Sequence, residues 1–113
     1  MGGGLTRPSL RAGLRDAVDE AAGGRNSLGH FTDADGNVIN THYGHVRGRE
    51  NRRILAAGQQ LGLNQGQLND FVNSRPDYFE IQEAAENLSK KGELPGIDQL
   101  DRILDDMRDF FKL

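Results

Sequence analysis

The end of this chain carries its most restrictive pattern. Ile97, Leu100, Ile103, Leu104, Met107, Phe110 and Phe111 recur at helical spacing and form one stripe, with acids on the opposite face. A helix of this kind cannot bury its stripe alone, so the rest of the chain must supply a matching apolar surface. That surface is scarce: apolar residues are 35% of the 113, against about 45% in an ordinary globular domain, and 15 positions are glycine. A chain of this size makes one domain with one modest core. Residues 1–6, opening on Met1-Gly2-Gly3-Gly4, read as a flexible join, and residues 7–113 as the domain.

Ahead of the final helix the pattern changes several times. Pro8-Ser9-Leu10 opens a helix marked by Leu10, Leu14, Ala17, Val18 and Ala21, and Gly23-Gly24 stops it. Two extended runs follow, at 30–32 and 38–43, with Asp33-Ala34-Asp35-Gly36-Asn37 supplying the turn of a β-hairpin. Ile54, Leu55, Ala57 and Leu61 mark a helix ending at Gly62, and Asn64 is placed to cap the next one, which carries Leu68, Phe71 and Val72. Residues 78–81 read as a connector and 83–91 as a short helix, closed by Gly92 and Pro95-Gly96. The expected class is α+β: a helix, a hairpin, then a helical second half.

Composition excludes several kinds of chemistry. There is no cysteine, hence no disulfide and no thiolate metal site. No apolar run approaches the roughly 18 residues of a membrane span, and no positively charged leader followed by an apolar region opens the chain. The net charge of −3 is unusual for a nucleic-acid binder, yet it is unevenly spread. Residues 1–53 hold eight Arg against six acids; residues 54–113 hold six bases against eleven acids. Arg47, Arg49, Arg52 and Arg53 fall within seven residues. A local basic patch can grip phosphate on an acidic protein, although a solvated, salt-bridged helix face is the simpler account of charge alone.

Asp33-x-Asp35-Gly36 suggests a calcium loop, but counting from Asp33 puts Gly36 at position 4 and Gly44 at position 12, where the EF-hand needs Gly at 6 and Glu at 12. A hairpin turn accounts for it better. Of the three histidines, His42 and His45 would point to opposite faces of a strand and make a poor metal pair. His45 has the more suggestive setting. It follows Gly44 at a strand-to-helix junction and precedes the arginines, where a neutral imidazole could take a proton from water while guanidinium groups hold a phosphate.

Thr41-His42-Tyr43-Gly44-His45 followed by Gly48-x-Glu50 resembles the Gly-His-x-x-Gly-x-Glu segment of the GH-E family. These are HNH/endonuclease VII-type nucleases found as C-terminal toxin domains of bacterial polymorphic toxins. Arg7-Pro8-Ser9-Leu10-Arg11 is similar to the Arg-Pro-Ser opening of such domains. Asn87-Leu88-Ser89-Lys90-Lys91-Gly92-Glu93 is similar to the family's Asn-x-Ser-His-Lys-x-Glu. Together these matches run from about residue 7 to residue 93, in the family's order.

The resemblance implies a ββα-metal fold, a hairpin packed on a helix around one divalent ion, Mg2+ or Zn2+. It implies a DNA endonuclease with His45 as general base, Asn87 orienting the loop that bears it, and Arg47, Arg49, Arg52 and Arg53 on phosphates. Glu50 and Glu93 carry over as acids that either bind metal or hold neighbouring groups. It also implies a protein secreted or delivered into a target bacterial cell, acting in its cytoplasm. A cognate immunity protein would be its partner, so the domain is expected as a monomer or a toxin–immunity heterodimer.

Lys90 departs from the motif. It stands where the family has the metal-binding His, and a protonated lysine has no lone pair to offer an ion. Engineered inactivation, natural loss of catalysis, and an ammonium standing in for the ion's charge each account for it. The alternative to an impaired nuclease is an inactive interaction module that keeps the fold and binds an immunity protein or nucleic acid. Lys90→His is expected to confer divalent-dependent nicking of plasmid DNA on a chain that otherwise shows little, measured by gel conversion of supercoiled plasmid with and without a chelator.

Overall fold

The computed structural model describes residues 4–84 and 94–113. The domain is α+β. Its elements are α1 (Ala12–Ala21), β1 (Phe31–Thr32), β2 (Val38–Ile39), β3 (Thr41–His45), α2 (Asn51–Gln60), α3 (Gln65–Asn73), a 3-10 turn (Pro76–Tyr78), β4 (Phe79–Glu83) and α4 (Asp101–Phe111). The strands form two antiparallel pairs, β1 with β2 and β3 with β4.

The helices form where local chemistry favours them. In α1, Leu14 and Val18 are buried one turn apart, and Gly23 and Gly24 adopt φ of 101° and 82°, a region that suits glycine and ends the helix. Asn64 caps α3 as expected: its side chain accepts from Gln67 N while the Gln67 side chain accepts from Asn64 N. In α4 the stripe buries Ile103, Leu104 and Met107 against Ile54 and Ala57 of α2, Leu68, Phe71 and Val72 of α3, and Tyr78. Burial of each large side chain contributes about 1.5–3 kcal/mol. Ile97 does not join them. It is 58% exposed, four residues ahead of α4, because the chain turns at Gly96 before the helix begins.

The sheet departs most from expectation. The hairpin exists, but only as the short pair Phe31↔Ile39 and Thr32↔Val38, with Asp33 accepting from Asp35 N and Asn37 N across the turn. The extended run expected at 38–43 is not one strand. It breaks at Asn40, and β3 takes a new partner, β4, in the register Thr41↔Glu83 to His45↔Phe79. Residues 78–81, expected to be a connector, thus supply most of a strand. Glu83 ends that strand rather than starting a helix, and residues 85–91 of the expected helix lie outside the described residues. The pairing spans α2 and α3, and short-range periodicity carries no signal of a partner so distant.

Residues 1–6 were expected to be a loose join, but the chain is docked from Leu5 onward. Leu5 packs on the core beside Gly58, and Thr6 exchanges backbone hydrogen bonds with the Gln65 amide. Pro8 is buried. This docking lays the N-terminal segment along the end of β3.

Gly44, the next-to-last residue of β3, lies beneath Gln82, and a Cβ there would come within 2.1 Å of the Gln82 side chain. Gly44→Ala is expected to cost about 1–3 kcal/mol in urea unfolding, the usual range for forced overpacking. The same change in a Gln82→Ala background should cost clearly less, which a double-mutant cycle measures.

Candidate functional site

His45 closes β3, and residues 46–50 lead directly into α2, so the expected strand-to-helix junction is present. Strand alternation separates the histidines. His42 is exposed opposite Gln82, whereas the half-buried His45 ring packs on Phe79 at 4.6 Å between centroids. His45 Nδ1 is shielded from solvent. On the same face, the Tyr43 hydroxyl donates to Asp19 at 2.8 Å, and Arg25 bonds both Asp19 and Tyr43. Arg25 also lies over the Phe31 ring, so this group joins α1, β1 and β3 and fixes the face that carries His45.

The loop after His45 is shaped by a buried carboxylate. Arg49 N bonds Val46 O, and Gly48 takes φ of 84°, which turns the chain back toward α2. Glu50 is 3% exposed; its Oε2 accepts from Gly48 N and Leu94 N, and its Oε1 from Arg53 Nε at 2.8 Å. Burial pushes the Glu50 carboxyl up, but the amides of Leu94 and Gly48 and the Arg53 guanidinium outweigh it and hold the group below the usual glutamate range. Of the two roles left open for Glu50, these contacts fit the holding role.

The four arginines expected on phosphate divide. Arg53 is fully buried, paired with Glu50, and bonded to Pro95 O at 2.6 Å and to Asp98 at 3.4 Å. It therefore cannot face a phosphate, and its place is structural. Arg52 also turns inward, giving Nε to Gly96 O at 2.7 Å and Nη2 to Leu94 O. Arg47 is exposed and Arg49 half-buried, its guanidinium 5.2 Å from the Tyr78 ring centre. These last two line an open groove of about 850 Å3 whose wall includes Tyr78, Asp77, Asp101 and Arg102. The Tyr78 hydroxyl donates to Asp106 at 2.5 Å, and burial followed by that carboxylate raises its pKa.

His45 opens on a different space. It lines a cleft of about 40 Å3 with Arg7, Tyr43 and Asn51, walled by Pro8, Leu10, Ile54, Val72 and Phe79. The structure therefore does not gather His45 and the four arginines in one depression. The imidazole lines one depression, and Arg47 and Arg49 line the other. Asn51 and Arg102 were missed because each is a single polar residue on a helix. Arg7 stood in the Arg-Pro-Ser motif, but only the docked N-terminal segment brings it to His45.

Asn87, Lys90 and Glu93 lie outside the described residues. Among the described residues, no three His, Cys, Asp or Glu side chains come together as a metal site. Lys90 stands where the resemblance expects a metal-binding His, and its ammonium has no lone pair for an ion. No helix among the described residues is long and apolar enough to cross a membrane. No family model, curated protein or solved structure matches this chain.

A carboxyl group held below its unfolded pKa adds stability above the unfolded value and loses it as pH falls through the folded value. Glu50→Gln is expected to cost about 3–5 kcal/mol near neutral pH, because Arg53 loses its buried counter-charge and keeps only the exposed Asp98. The deficit should shrink as pH falls below about 4.3, where the unfolded chain takes up a proton that folded Glu50 still resists, and vanish once the folded carboxyl is protonated as well. Urea midpoints across pH 3–7 measure it, and Glu50→Leu with Arg53→Met should regain much of the loss.

Proposed function

We propose that this chain is a nuclease domain of the polymorphic-toxin kind, with His45 as the base and with divalent-dependent cleavage impaired by Lys90. The observation that carries the reading is the position of His45: the last residue of β3, half-buried on Phe79, opening on a cleft that also holds Arg7. The strand order supports it as well. β3 pairs antiparallel with β4, and the segment bearing Asn87 and Lys90 follows β4 in sequence, the order a ββα unit requires.

In the proposed reaction a water oxygen attacks phosphorus and gives its proton to the neutral His45 imidazole. The bond from phosphorus to the 3′ oxygen breaks, and the leaving oxygen takes a proton from solvent. Placement of the base contributes about 10^2–10^4-fold. Arg47, Arg49 and Arg102 line the adjoining groove and meet backbone phosphates away from the bond that breaks. Asp77 and Asp101 in the same wall restrict where a polyanion can lie. DNA as the substrate and an immunity protein as the partner belong to the same proposal.

Combined substitution tests the reading. In a Lys90→His background, His45→Ala is expected to lower plasmid nicking by at least about 10^2-fold while duplex binding persists. Arg47→Ala and Arg102→Ala should each weaken duplex binding and reduce its salt slope by about one contact, measured by fluorescence anisotropy. A Lys90→His protein that binds no DNA and cuts none sinks the nuclease reading and leaves the interaction module.

A further inference from the structure

We propose that the cleft beside His45 is the subsite for one phosphoryl group of the nucleic-acid strand, gripped by Arg7, with Asn51 positioning the attacking water. The proposal rests on the nuclease reading and names where the reacting phosphate sits. The groove arginines do not serve this purpose, because Arg47 and Arg49 line the other depression.

Three observations converge on the cleft. Its size is that of one small oxyanion: about 40 Å3 holds about three water-sized groups. Its walls are apolar, from Pro8, Leu10, Ile54, Val72 and Phe79, with the polar groups confined to Arg7, Tyr43, His45 and Asn51. A mostly apolar pocket with a few convergent polar groups is the usual form of a binding site, and its low polarity strengthens a guanidinium–phosphate attraction. Asn51 lines the cleft, and its buried Oδ1 has no hydrogen-bond donor among the described residues. Leaving an acceptor unmet costs about 1–3 kcal/mol, so a ligand or water that donates to it gains accordingly.

The chemistry follows from the charges. A phosphodiester brings one negative charge and two non-bridging oxygens, which suit the planar fork of Arg7. Asn51 Oδ1 offers nothing to an anionic oxygen, but it accepts from a water. A water bonded to Asn51 beside His45 is held next to both the phosphate and the base. Asn51 is thus a positioning residue and Arg7 a binding one. The Arg7 side chain is exposed, and the backbone on either side of it is fixed: Pro8 is buried, and Thr6 is bonded to Gln65.

Two probes test the cleft without requiring cleavage: the dinucleoside monophosphate d(TpT) and inorganic phosphate, each titrated into isotope-labelled chain while His45 and Asn51 side-chain resonances are followed by NMR. Both are expected to move these resonances saturably. Arg7→Ala should weaken that binding at least tenfold while leaving the Leu14 and Val18 methyl signals in place. Arg7→Lys should weaken it less. Asn51→Leu should keep phosphate binding and lower only the rate of a Lys90→His nuclease. Resonances unmoved by both probes, equal binding by Arg7→Ala, or phosphate binding without d(TpT) would each overturn the assignment. Plasmid-length DNA bound by a chain whose cleft ignores both probes would remove the subsite and keep the nuclease. A cleft that binds d(TpT) in a chain with no affinity for long DNA would do the reverse.

Discussion

The buried pair of Glu50 and Arg53 is the contact on which the rest of this small domain depends. Two opposite charges leave water together, a step that costs several kcal/mol for each ion unless every lone pair and proton is met. Here they are met by the chain itself. Glu50 takes the amides of Gly48 and Leu94, and Arg53 reaches Pro95 O and Asp98. One carboxylate therefore sets the loop after β3, starts α2, and ties both to the segment that leads into α4. With a core this limited, polar anchoring does what a larger apolar interior would do elsewhere.

The site beside that anchor is two-sided. The chain turns at Gly48, whose amide reaches Glu50, while His45 and Arg47 line different depressions. His45 is left against Phe79, in a cleft completed by the docked N-terminal segment. Arg47, Arg49 and Arg102 are left along an open groove over Tyr78. In the proposed reading, a site divided in this way separates the base from the groups that hold the strand. In the proposed nuclease the division is an advantage, because the base keeps a partly dry environment while phosphate contacts remain open to solvent.

Much of the helical framework was legible in sequence because its signals are local. Leu14 and Val18 mark the buried face of α1, the Asn64–Gln67 capping box opens α3, and Ile103, Leu104 and Met107 mark the stripe of α4. The strands were legible only in part. Residues 79–83 carry ordinary alternation, and their partner lies beyond two helices, so no short-range pattern identifies it. The arginine cluster misled for a related reason: four guanidinium groups within seven residues look alike in a sequence, and only burial separates Arg53 from Arg47.

Sequence alone determined the amphipathic final helix, the junction that carries His45 and the absence of thiolate chemistry. These follow from residue identity and spacing within a few turns of chain. Tertiary structure decided which strand pairs with β3, which arginines stay in solvent, and that Arg7 and Asn51 meet His45. Those outcomes depend on contacts between segments far apart in the chain. The balance there is between burying a charge with partners and leaving it in water, and identity and spacing do not record it.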